Sequence, residues 1–122
     1  MITVLLVDDH TVLRDGLRFL LEAQGDIQIV ATASNGQEAV DQALIYCPDV
    51  VLMDISMPVM NGIEATKQIR MTCKETKVAI LSMHHTAEYR QRAFEAGAVG
   101  YLMKDSAGTE LVAAIRAIHQ GK

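Results

Sequence analysis

Tryptophan is absent from this chain and aromatic residues make up only 4% of it, although half of its residues are hydrophobic. Any core must therefore be built from aliphatic side chains. Cysteine occurs twice, at Cys47 and Cys73, without C-x-x-C spacing, which argues against a thiolate metal centre or a disulfide framework. No secretory leader precedes them, and both are expected to be reduced and partly buried. His10, His84, His85 and His119 stand at no ligand spacing to the cysteines and read as solvent or packing residues. No apolar run approaches the ~18 residues of a membrane-spanning helix, and the expected compartment is the cytoplasm. Basic residues are outnumbered, 11 to 15, for a net charge of -4. That is the wrong sign for a domain that grips nucleic acid by itself. With 122 residues the chain has the length of one domain, residues 1–122.

What the chain does contain is a series of short apolar runs alternating with helical patterns. Val50-Val51-Leu52-Met53 runs unbroken into Asp54, before Pro58 and Gly62 stop the segment. A run of that length suits a strand buried on both faces of a parallel sheet and is too short for a helix. Thr3 to Val7 is a similar strand and ends in Asp8-Asp9. His10 to Gln24 has Val12, Leu13, Leu17, Leu20 and Leu21 at helical spacing, with Gly25 as the C-cap. Ile27 to Ala31 alternates, as an edge strand does. Asn35, three residues before Glu38, caps a helix whose buried stripe is Ala39, Val40, Ala43 and Leu44 and which Pro48 ends.

Asn61-Gly62 opens a further helix with Ile63, Thr66 and Ile69 inward, and Val78 to Leu81 forms a strand that delivers Ser82. A weaker helix through Ala87, Arg90, Ala93 and Phe94 closes at Gly97. Val99 to Met103 makes the last strand, with Tyr101 inside it and Lys104 at its end. The last helix starts near Ser106 and buries Leu111, Val112, Ile115 and Ile118.

Five β-α units joined by short loops predict an α/β fold, a doubly wound five-stranded parallel sheet of order 2-1-3-4-5 in a three-layer sandwich. The switch point of that order lies between the strands ending in Asp8-Asp9 and in Asp54. Three carboxylates thus converge on one crevice. Unit charges about 4 Å apart repel by roughly 4 kcal/mol at the effective dielectric of a partly wet site. Either a proton is taken up or a divalent cation sits among them. Lys104 leaves about two negative charges, which one Mg²⁺ cancels. A carboxylate beside Mg²⁺, a lysine and the Ser82 hydroxyl is equipped for phosphoryl transfer, with Asp54 as the nucleophile.

Several separated motifs carry a resemblance: Val7-Asp8-Asp9-His10, then Met53-Asp54-Ile55-Ser56-Met57-Pro58 with Asn61-Gly62, then Leu81-Ser82, and Gly100-Tyr101-Leu102-Met103-Lys104. Over its whole length the chain resembles the receiver domain of bacterial two-component response regulators, a flavodoxin-like (CheY-like) fold. Asp8-Asp9-His10, Leu81-Ser82-Met83-His84 and Ala96-Gly97-Ala98-Val99-Gly100-Tyr101-Leu102 look most like the NarL/FixJ (LuxR-type) branch. The resemblance implies that Asp54 accepts a phosphoryl group from a phosphohistidine of a sensor histidine kinase. It implies Mg²⁺ on Asp9, Asp54 and the Ser56 carbonyl, with Asp8 acting through a bound water. Lys104 would pair with a phosphoryl oxygen, Ser82 would move toward the phosphate, and Tyr101 would swing inward behind it.

It further implies a homodimer on phosphorylation, and DNA contact only through a C-terminal helix-turn-helix domain outside this chain. The chain would be a phosphoacceptor switch that assists its own phosphorylation and autodephosphorylation, not an enzyme with a separate substrate. His84 and Ser56 stand where they could admit or screen the attacking water. The family often has a cis proline after the lysine; here Asp105 follows, and a cis bond to a non-proline costs about 2.5 to 4 kcal/mol. Two rivals fit less well. An Asp-nucleophile phosphatase would show D-x-D after the first strand and a cap insertion, and a receiver that has lost phosphorylation would lack an acid or the lysine.

Overall fold

The structure, a computed structural model, describes residues 1–54, 61–82, 87–104 and 108–121. Ten elements alternate along it: β1 (Ile2–Val7), α1 (Thr11–Glu22), β2 (Ile27–Ala33), α2 (Gly36–Tyr46), β3 (Val50–Asp54), α3 (Gly62–Thr72), β4 (Lys77–Ser82), α4 (Ala87–Glu95), β5 (Gly100–Met103) and α5 (Gly108–His119). All strand pairs are parallel, in the order β2-β1-β3-β4-β5. This is the expected topology. The central runs are continuous because helices cover both of their faces, so neither set of alternating side chains meets water.

Those two sets feed two apolar layers. Leu5, Val7, Val51, Met53, Val78 and Ile80 pack with Ala39, Val40 and Ala43 of α2, Ile63, Ala65 and Ile69 of α3, and Ala93 of α4. Val4, Leu6, Val50, Leu52, Ala79 and Leu81 pack with Leu21 of α1 and with Leu111, Val112, Ile115 and Ile118 of α5. Fully burying one such aliphatic side chain is worth about 1.5 to 3 kcal/mol. The two layers therefore hold the strand ends, and every residue mounted on them, in fixed register. Val7 lies opposite Met53, Asp54 opposite Leu81, and Ser82 opposite Met103.

Helix starts follow the capping signals. The Asn35 side chain accepts from Glu38 N and that of Asn61 from Glu64 N, each at 2.9 Å. The Glu38 carboxylate reaches back one residue further than a simple capping box does, accepting from both Ser34 N and Ser34 Oγ at 2.8 Å.

Several expectations about helix faces are corrected. Val12 is 88% exposed because it falls on the face of α1 opposite Leu21, and Phe94 and Leu44 lie on the surface at the margins of stripes centred on alanines. α2 ends at Tyr46, ahead of Pro48, because Cys47 turns into the left-handed region with φ 42°. The cysteines differ from the expected pair of partly buried thiols: both are free, but Cys73 is buried and Cys47 exposed. The expected start of the last helix near Ser106 lies outside the described residues. Ala93 is the single described residue of α4 that is buried, in keeping with its weak pattern.

Candidate functional site

Four strand ends meet at one edge of the sheet. Asp8 follows β1 directly and has no exposed surface; Asp54 closes β3 and Ser82 closes β4, both buried. Lys104 follows β5 with its side chain 5% exposed. Parallel strands all leave the sheet at the same edge, so the sequence needs no long-range signal beyond strand order to bring these residues together. Two backbone bonds fix the flanks, Asp8 N to the Ala33 carbonyl at 3.0 Å and Lys104 N to the Ser82 carbonyl at 2.9 Å.

The Lys104 ammonium lies between the two buried acids. Its Nζ donates to Asp54 Oδ2 at 2.8 Å and stands 3.2 Å from Asp8 Oδ2. Burial alone would lower the lysine pKa. The hydrogen bond to Asp54 and the charges of Asp54 and Asp8 outweigh it and hold the ammonium above the usual lysine range. One lysine cannot satisfy this pocket, however. Asp8 Oδ2 is buried and accepts no directed hydrogen bond among the described residues. Ligand atoms of Asp8, Asp9, His10 and Asp54 all lie within 4.8 Å of one another. A buried carboxylate oxygen of this kind, with hard oxygen donors converging on it, fits a small divalent cation of the Mg²⁺ type.

His10, expected to be a solvent or packing residue, has a side chain 67% exposed that also stands against both Asp8 and Asp9. Its backbone N–H donates to Asp8 Oδ1 at 2.8 Å, and its Nδ1 stands 3.1 Å from both Asp8 Oδ1 and Asp9 Oδ1. Arg14, one turn into α1, donates to the Asp8 carbonyl at 3.1 Å and was not singled out from the sequence. His10, Val12, Leu13 and Lys104 also line an open cleft of about 470 Å³ beside the acids.

Tyr101 is half-buried in β5, opposite Ile80, and packs on the layer shared with α4. Ser56, His84 and Asp105, named from the sequence as a metal ligand, a water-screening residue and the residue after the lysine, lie outside the described residues. Among the described residues no helix is long and apolar enough to cross a membrane.

Residues 4–116 match the family model for the response regulator receiver domain. Among curated proteins, the chain is 45% identical over 122 residues to the transcriptional regulatory protein LiaR of Bacillus subtilis, covering all of this chain and 58% of that protein. It is 43% identical to the response regulator UvrY of Escherichia coli, covering all of this chain and 56% of that protein. The chain thus spans little more than half the length of these relatives. A two-component response regulator of the LuxR family from Aurantimonas superposes with a TM-score of 0.93 at 41% identity, over 98% of this chain and 86% of that one. The response regulator domain of Thermotoga maritima CheB superposes with a TM-score of 0.90 at 34% identity, over 98% and 97% of the two chains.

Proposed function

The chain belongs to the receiver domains of two-component response regulators, and from that premise we propose that Asp54 is its phosphoacceptor, with a sensor histidine kinase as donor. The observation that carries this assignment is the Lys104 ammonium bridging Asp54 and Asp8 at 2.8 and 3.2 Å, beside Asp9. Asp54 Oδ1 or Oδ2 attacks the donor phosphorus in line, and the P–N bond to the kinase imidazole breaks as the P–O bond to Asp54 forms.

Asp8, Asp9 and Asp54 would hold Mg²⁺, with the Ser56 carbonyl as a further ligand. When bound, the ion neutralises charge on the transferring phosphoryl group. Lys104 exchanges part of its contact with Asp54 for a phosphoryl oxygen, and Ser82 offers its hydroxyl to another. The open cleft beside His10, Val12 and Leu13 leaves an approach for the donor that the lysine flanks. Each oxygen thus meets a positive or donor group at a moment when the pocket gains about one unit of negative charge.

That gain favours the arrangement with Ser82 and Lys104 nearest the phosphate. Tyr101 and the weakly anchored α4 share the layer behind Ser82, so they are the elements that repack, and the face formed by α4, β5 and α5 becomes the output surface. Homodimerisation on that face or on one involving α1 and α5, self-catalysed dephosphorylation, and control of transcription through a helix-turn-helix domain elsewhere in the full protein complete the proposal. Residues 1–122 act as one receiver unit in it. Incubation with Mg²⁺ and acetyl phosphate tests the acceptor: one phosphate per chain is expected, with none in Asp54→Ala. Undiminished labelling of Asp54→Ala would overturn the assignment, and multiple turnover on small phosphate esters would favour a phosphatase.

A further inference from the structure

At the sheet edge opposite the acidic pocket, the C-terminal ends of α2 and α3 bring the two cysteines to one point. The Ala43 carbonyl accepts the Cys47 backbone N–H at 2.8 Å and the Cys73 thiol at 3.5 Å. Cys47 lies near enough to Cys73 to add to the rise that burial gives the Cys73 thiol. Their surroundings differ sharply. Cys73 is 6% exposed, beneath α2, and takes a contact from the Thr72 hydroxyl at 3.9 Å. Cys47 is exposed, at a left-handed turn where glycine or asparagine is the usual occupant. A residue with a side chain is tolerated at that turn, and its thiol stands between solvent and a buried partner.

We propose that Cys47 and Cys73 form a reversible intramolecular disulfide by exchange with a low-molecular-weight disulfide, Cys47 reacting first and Cys73 resolving. In the first step the Cys47 sulfur, its proton released, attacks one sulfur of the small disulfide. The bond between the two small-molecule sulfurs breaks, and one half departs as a thiolate that takes up a proton. In the second step the Cys73 sulfur, also deprotonated, attacks the Cys47 sulfur of the mixed disulfide and expels the other half as a thiol. Two electrons pass from the protein thiols to the small disulfide, and no further reactant is consumed.

The order follows from access. A small disulfide reaches Cys47 from solvent, whereas α2 shields Cys73. Burial also pushes the Cys73 thiol up, so it is the weaker initiator and gains its advantage only when an electrophilic sulfur is held against it. The resulting bond closes a ring that contains β3, Asp54 and α3, and it clamps the two helix ends together.

The test is to expose the full chain to oxidised glutathione, quench with acid, alkylate, and weigh it intact and after proteolysis. The expected product has lost the mass of two hydrogens, contains a peptide joining Cys47 to Cys73, and reverts with dithiothreitol. Its thermal midpoint rises by on the order of 10 °C over the reduced form. Cys73→Ala should stop at a glutathione adduct on Cys47, and Cys47→Ser should stay unmodified while folded. The wild-type measurement decides even if the Cys73 variant folds poorly. A lasting glutathione adduct on the wild-type chain, a disulfide-linked dimer, or two persistent thiols would each overturn the proposal. An adduct at Cys73 in Cys47→Ser would overturn the order of attack.

Discussion

Removing the Lys104 ammonium leaves Asp8 and Asp54 confronting each other with no shared cation from the protein. Breaking a fully buried ion pair by truncating one partner costs about 3 to 5 kcal/mol. Asp9 keeps this pocket in touch with water on one side, and a cost of about 2 kcal/mol is expected for Lys104→Met in denaturant unfolding without divalent ions. Millimolar Mg²⁺ should return part of that loss. In the wild-type chain the same titration should raise the thermal midpoint, and the rise should shrink in Asp8→Asn and in Asp54→Asn, because fewer carboxylates remain to hold the ion.

At this scale the sequence displayed most of the site. Acids at the ends of two neighbouring apolar runs and a lysine at the end of a third are visible without coordinates. His10 was not, since a histidine facing solvent and one leaning over two carboxylates look alike in one dimension. Its 3.1 Å approach to both acids depends on how the chain turns after β1, which no spacing rule encodes.

Elements differ in how plainly they announced themselves. β1, β3 and β4 were legible because helices cover both of their faces and leave unbroken aliphatic runs. α1 was legible as a helix but not in its orientation. Val12 stands nine residues from Leu21, half a turn round the helix, and the apolar pattern does not say which of these faces meets the sheet: Leu21 is fully buried and Val12 88% exposed. The turn from α4 to β5 carries a prediction of its own. Gly97 has φ +109°, and a Cβ there would lie 2.8 Å from Arg70 Cγ. Arg70 is tied down by bonds from its Nη1 to the carbonyls of Lys74 and Thr76, so it cannot withdraw freely. Gly97→Ala should therefore lose about 2 kcal/mol by chemical denaturation, part from the backbone and part from the displaced arginine. In an Arg70→Ala background the cost of Gly97→Ala should fall to the backbone part alone.

Across the whole molecule, one exposed pair joins segments far apart in sequence. Arg116 of α5 makes a two-pronged contact with Asp26, just before β2, at 2.9 and 3.0 Å. The guanidinium holds the Asp26 carboxyl below its usual range. A carboxyl lowered on folding adds stability above its unfolded pKa and loses it as pH falls through the folded value. Asp26→Asn should accordingly be less stable than wild type at neutral pH, and the gap should close below about pH 4, read from urea midpoints at several pH values. High salt should narrow the neutral gap as well, because both partners face solvent. The overall topology was legible from five alternating units and short loops. The pairing of Asp26 with Arg116 was not, because it depends on where the outer helix returns to the sheet.

The hydrogen bond from Lys104 N to the Ser82 carbonyl makes the last two strand tips a single rung. A hydroxyl that rotates on that rung leaves the lysine's anchor undisturbed, whereas any shift of the Ser82 main chain must drag Lys104 along. Detection of the new charge and its neutralisation are thereby geared together, so a substitution that loosens the rung should blur the boundary between the off and on forms before it weakens either one.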